Sequence, residues 1–219
     1  MFPSLLLALA PLAVPDPSAP WDLIEACPRL VIRGDTRATA TAVAIGRKDG
    51  FAYLLTAHHA VADDPPTQVQ YFTRRSYPEP ARVLTKCEVV KAFRQPDFAL
   101  LKVPTGDTPV PVLKLSAPPP RPRKVPFAAI SIGCSNGDAP TGGNETVSGR
   151  RFGKREGGER AFFWETEQPP TAGRSGGPLV ADGKVVGVCA AENGGRGYYA
   201  HLDELLAGLK AEGYGWLWE

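Results

Sequence analysis

Between Pro104 and Pro126 the chain carries eight prolines, including the stretch PPPRPRK. Proline fixes φ and cannot donate to a sheet ladder, so no central strand passes through this segment, which favours extended, polyproline-like backbone. Whatever packs must therefore pack on either side of it. On the N-terminal side, from Arg29 to Val103, short strand-like runs recur: RLVIRG, TATAVAIG, FAYLLTA, VQYFT, RVLTKCEVVKAF and FALLKV. On the C-terminal side follow FAAISIG, ETVSGRRFG, RAFFWETE, PLVADGKVVGVCA and GYYAHL. Runs of this length separated by turn residues read as strands, and Asp182-Gly183 between two aliphatic runs reads as a tight hairpin.

The expected fold is all-β, with two β-barrels joined by a linker. The first spans residues 28–104, the proline-rich linker 105–126 and the second barrel 127–201. Beyond the last strand, Leu202, Leu205, Leu206 and Leu209 recur at i, i+3, i+4 and i+7. That spacing is one apolar helical face, so a C-terminal helix over 202–213 is expected to dock on the second barrel.

Composition narrows the function. Lys plus Arg outnumber Asp plus Glu by 25 to 23, which gives no electrostatic footprint for nucleic acid or an anionic membrane. The apolar N-terminal stretch MFPSLLLALAPLAV is too short for the ~20 residues that span a bilayer. It has the length of a signal-peptide core, so residues 1–20 read as a signal peptide or an apolar extension, and the chain as secreted or periplasmic. Cys27, Cys87, Cys134 and Cys189 stand singly with no C-x-x-C pair, so no metal site is expected. Three disulfide pairings or four buried thiols remain open.

The segment TAGRSGGPLV, residues 171–180, places Ser175 among glycines. By itself this is turn composition. A serine hydroxyl becomes a nucleophile only when a base takes its proton, and that base needs a third group to fix its tautomer. The chain offers His58 and His59 in LLTAHHAVAD, His201 near the last helix, and Asp97 at the head of the aliphatic run in QPDFALLKV. The stretch around Ser175 also fits G-x-S-x-G, the nucleophile elbow of α/β-hydrolases, but that motif needs a helix after the serine and a later catalytic histidine.

Together, LLTAHHAV, PDFALLKV and GRSGGPLV resemble the three signature segments of the trypsin-fold (chymotrypsin-like) serine endopeptidases, in that family's order of His, Asp and Ser. The segments SIGCSNG and GRSGGPLV look nearest to the bacterial HtrA (Deg) branch, here without a trailing PDZ domain. The resemblance implies two six-stranded antiparallel Greek-key barrels. It also implies a catalytic triad of His59, Asp97 and Ser175, with His59 chosen because the family has T-A-x-H and His58 fills the x position. The backbone N–H groups of Gly173 and Ser175 would form the oxyanion hole.

By the same resemblance the substrate pocket comprises Pro169, Pro170, Thr171, Ala172, Cys189, Ala190, Ala191 and Gly197. No acid stands at Pro169, so small or apolar P1 side chains are expected, with Glu192 just beyond the wall. The implied substrates are polypeptides, with no cofactor and no metal; the oligomeric state stays open. The alternative is a catalytically silent protease-fold module that binds peptides. Two departures stand out. Ala60 replaces the cysteine that follows the histidine in many members, and Arg174 replaces the aspartate that precedes the serine in the trypsin branch. An arginine cannot pair with an inserted N-terminal ammonium, so activation by N-terminal insertion is not expected.

Overall fold

The computed structural model describes residues 17–33, 37–117, 123–154 and 160–218. The apolar stretch up to residue 16 and part of the proline run, 118–122, lie outside the described residues. Thirteen strands and two α-helices are described. The first unit holds β1 (Arg29–Arg33), β2 (Arg37–Lys48), β3 (Phe51–Ala57), β4 (Thr67–Tyr71), β5 (Arg82–Leu84), β6 (Glu88–Phe93) and β7 (Phe98–Pro104). They form one antiparallel sheet in the order β5-β4-β1-β2-β3-β7-β6. The second holds β8 (Phe127–Gly133), β9 (Thr141–Lys154), β10 (Arg160–Thr166), β11 (Pro178–Ala181), β12 (Lys184–Asn193) and β13 (Arg196–His201), closed as β10-β13-β12-β11-β8-β9.

The all-β expectation of two β-units and a terminal helix holds, and the second barrel is six-stranded as expected. The first unit differs in detail: it has seven strands, and its edge strands β5 and β6 are not paired with one another. The extra strand arises because the run Arg82–Phe93 is broken at Thr85-Lys86-Cys87, where the chain turns a corner. Only three residues join the two edge strands, which bounds how far apart their adjoining ends can lie. Asp182 and Gly183 both adopt positive φ between β11 and β12, as do Asp49 and Gly50 between β2 and β3. Two consecutive left-handed residues are what a type I′ hairpin requires.

Three apolar layers follow from the strand alternation. Leu30, Leu54, Val69, Leu101 and Val103 fill the first unit, and Val147, Trp164, Leu179, Val186 and Tyr199 fill the second barrel. Between them lies the largest layer, where Val43, Ile45, Leu55 and Leu100 of the first unit meet Ile132, Val180, Val185 and Val188 of the second. The connecting segment joins this layer through Leu113 and Leu115, and it is bonded to both sides: Leu113 N–H donates to Ala44 and Val185 N–H to Lys114.

Two helices cover the same layer. The short α1 (Trp21–Glu25) inserts Leu23 and Ile24. The second helix, α2 (Leu202–Ala211), buries Leu202, Leu205, Leu206 and Leu209, the predicted apolar face, each leucine contributing about 2 kcal/mol by area burial. Pro17, counted above with the apolar leader, is buried, and its carbonyl accepts from Gly142 N–H of β9 at 2.7 Å. A leader removed after residue 20 would take that contact with it. Among the described residues no helix is long and apolar enough to cross a membrane.

Candidate active site

The strand β3 ends at Ala57 and passes into a 3₁₀ turn, His58–Ala60, which sets His59 at the rim of the first unit. Facing it, the turn before β7 ends in Asp97, which adopts φ +58. Aspartate is one of the few residues that visits the left-handed region readily, and here that conformation turns its carboxylate back toward the histidine turn. Asp97 is 1% exposed. Its Oδ1 accepts from the His59 backbone N–H at 3.0 Å, and its Oδ2 lies 2.7 Å from His59 Nδ1. A buried carboxylate held by a backbone amide fixes the ring's orientation, and its contact at Nδ1 selects the tautomer with the proton there. His59 Nε2 then points at Ser175, 3.1 Å from its Oγ.

His58 also approaches Asp97, with its Nδ1 4.0 Å from Oδ1, but the contacts to both Asp97 and Ser175 are made by His59. His201 is placed elsewhere. Its Nδ1 accepts from Asp203 N–H and caps α2, its ring packs tilted against Trp164 with centroids 4.0 Å apart, and burial lowers its pKa to about 4. The segment after Ser175 runs into β11 and not a helix, which removes the nucleophile-elbow alternative.

The loop 171–177 is set by its backbone bonds. The Ala172 carbonyl accepts from Asn136 N–H at 2.7 Å, and the Arg174 carbonyl accepts from Gly177 N–H at 2.9 Å. In a planar trans peptide the N–H points opposite the carbonyl, so the amides of Gly173 and Ser175 are both turned away from these partners. Among the described residues neither amide donates to another protein group. Gly173 holds φ +87, and a Cβ there would strike the Cys134 carbonyl. The position admits glycine alone without strain.

One residue that the sequence reading did not single out organises this loop. Thr41 of β2 is fully buried. Its hydroxyl donates to the Gly173 carbonyl at 2.8 Å and accepts from Cys134 N–H at 2.9 Å, while its backbone N–H donates to the Ser175 carbonyl at 2.9 Å. Thr56 donates in turn to the Thr41 carbonyl. The first unit thus grips the loop of the second through one threonine. The available signal was a threonine in the otherwise apolar buried positions of TATAVAIG.

Of the expected pocket residues, the structure joins Pro170 and Gly197, since a Cβ on Gly197 would meet the Thr166 hydroxyl, the Gln168 carbonyl and the Pro170 ring. Pro169, Thr171 and Ala172 are exposed on the segment leading to Ser175, and Ala191 is half-buried on β12. Ala190 packs with Ala161 and Phe163. Cys189 turns its thiol into the barrel among Val186, Leu179 and Tyr199, and its carbonyl accepts from Gly176 N–H. Glu192 folds back on its own turn, accepting from Gly195 N–H at 3.3 Å.

All four cysteines are free thiols. Burial pushes Cys134 and Cys189 up to about 12 and Cys27 well above the ordinary thiol value, so none of these three is a ready thiolate. Among the described residues no cluster of His, Cys, Asp and Glu is arranged to hold a metal ion.

Residues 40–188 match the family model described as the trypsin-like peptidase domain. Among solved structures, the active form of the Rv3671c protease from M. tuberculosis superposes with a TM-score of 0.72 at 19% identity, covering 96% of this chain and 92% of that one. The inactive form of the same protease gives 0.67 at 19% identity over 86% and 89%. An HtrA-type protease, AlgW, with a tripeptide gives 0.69 at 19% identity, covering 87% of this chain and 60% of that one. No curated protein matches the sequence.

Proposed function

The chain belongs to the trypsin-like peptidase domain family, and from that premise we propose that it is a serine endopeptidase acting through Ser175, His59 and Asp97. The observation that carries this reading is the pair of contacts that leads from Ser175 Oγ through His59 to the buried carboxylate of Asp97, at 3.1 and 2.7 Å. His59 Nε2 takes the hydroxyl proton as Oγ attacks a peptide carbonyl. Asp97 holds the ring and stabilises the imidazolium that forms. The amides of Gly173 and Ser175 receive the oxyanion; in support, the carbonyls of the same two peptides are held by Asn136 and Gly177 on the opposite side. His59 then donates to the leaving amine, and a water repeats the cycle on the acyl-enzyme.

The substrates are polypeptides, with a small or apolar side chain preferred at P1. Support comes from Gly197, where any side chain would meet Thr166, Gln168 and Pro170, and from the lack of an acid at Pro169. The apolar leader supports a secreted or periplasmic location as part of the same reading. A fluorophosphonate probe tests the chemistry, since it reacts with an activated serine: labelling of the intact protein that disappears in both Ser175→Ala and His59→Ala is expected. Labelling that survives in either contradicts the assignment.

A further inference from the structure

Arg174 does not face the cleft. Its side chain turns under the nucleophile loop into the second barrel, where the residue is 8% exposed. Nη2 donates to both the carbonyl and the hydroxyl of Ser131 at 2.9 Å, and Nη1 donates to the Gly133 carbonyl at 3.3 Å, the Ser135 hydroxyl at 3.2 Å and the Thr141 carbonyl at 3.4 Å. The Ser131 hydroxyl donates onward to Glu145 Oε1 at 2.8 Å. The cation is therefore linked through one hydroxyl to a carboxylate on the facing strand. A buried guanidinium is costly unless its donors are met, and both terminal nitrogens, Nη1 and Nη2, find acceptors here.

The surrounding sequence makes room for that placement. A Cβ on Gly133 would lie 2.8 Å from Arg174 Cγ and 2.9 Å from its Cβ, so the end of β8 accommodates this arginine by lacking a side chain. The same arginine's backbone is part of the loop: its N–H donates to Thr171 at 3.1 Å and its carbonyl accepts from Gly177. The segment 133–137 that receives the guanidinium also supplies the Asn136 N–H that holds the Ala172 carbonyl.

We propose that Arg174 is a positioning residue for the reaction, a built-in cation that locks the nucleophile loop to β8 and β9 with the Gly173 and Ser175 amides facing the cleft. The proposal rests on the reading of Ser175 as nucleophile. The loop is set from within the second barrel, and an ammonium brought to the same place would meet a like charge. A freshly cut N-terminus is not needed to form the site.

The test compares Arg174→Met, Arg174→Gln and Arg174→Lys with the unaltered protein in two measurements. Amide hydrogen exchange by NMR reads the loop directly, through the protection of the Asn136 and Gly177 N–H groups. Peptide hydrolysis reads its consequence. In the Met and Gln variants the two amides are expected to lose protection while β8–β9 ladder amides keep theirs, and kcat is expected to fall about 10²-fold with KM little changed. Lys, a cation with fewer donors, is expected to restore part of both. Unchanged protection of Asn136 in the Met and Gln variants overturns the proposal, as does kcat within about twofold of the parent. If the unaltered protein shows no turnover, the reading of Ser175 falls, and the amide measurement alone still decides the role of Arg174.

Discussion

The hydroxyl of Thr41, on β2 of the first unit, donates a 2.8 Å hydrogen bond to the carbonyl of Gly173 in the Ser175 loop of the second. The same hydroxyl accepts from Cys134 N–H, so one buried group satisfies both a donor and an acceptor. The relative placement of His59 and Ser175, which belong to different units, depends on such a strut.

Thr41→Val keeps the branched shape and removes both bonds. Leaving the Cys134 amide and the Gly173 carbonyl unpaired should destabilise the fold by about 1–3 kcal/mol, measured by urea unfolding. It should also lower kcat more than it alters KM, because on the proposed reading the loop carries the oxyanion amides. Thr41→Ser, which keeps the hydroxyl, should retain most of the activity.

Gly173→Ala adds a methyl at φ +87 against the Cys134 carbonyl. The expected outcome is a folded protein in which the peptide 172–173 is displaced. Loss of one oxyanion donor should cost about 10²–10³ in kcat. Steady-state kinetics on a peptide substrate, together with unchanged far-UV circular dichroism, checks this.

His201 gives the fold a pH dependence. Burial lowers its pKa from 6.5 to about 4, with Asp203 opposing the shift and Arg150 adding to it. Between those values the unfolded chain binds a proton that the folded chain does not. Its contribution is therefore fully present above about pH 6.5 and lost as the pH falls toward 4. His201→Asn keeps a capping acceptor for Asp203 N–H and does not titrate. Urea unfolding at a series of pH values should show a shallower acid loss in that variant.

The proposed specificity turns on Gly197. A side chain there would meet Thr166, Gln168 and Pro170, and no acid stands at Pro169, so the proposed reading favours small or apolar P1 residues. Mass spectrometry of products from a mixed peptide library should find cuts after such residues. Dominant cuts after Lys or Arg would overturn the pocket assignment.

Much of the molecule was legible in the sequence because strands and hairpins are local. Each apolar run became a strand, and Asp182-Gly183 and Asp49-Gly50 became the turns their φ preferences dictate. What escaped was non-local. The run Arg82–Phe93 holds no Gly or Pro to mark a turn, yet it is divided at Thr85–Cys87 into two strands that pair with different neighbours, β4 and β7. The five-residue α1 is too short to leave a helical period. Thr41 reads as an ordinary β-branched strand residue until its partners 93 and 132 positions away are known. The choice of His59 over His58 came from resemblance to a family, and the geometry pairs His59 with both Asp97 and Ser175. The direction of Arg174, inward beneath the loop, is written in Gly133 and Ser131, which no local pattern connects to it.

The most direct measurement is peptide-bond hydrolysis by the purified protein and by Ser175→Ala, followed on an unstructured polypeptide with the cleavage products identified. The account predicts turnover by the parent and a loss of about 10⁶-fold in kcat in the variant, with its fold intact. Hydrolysis that persists undiminished in Ser175→Ala contradicts it.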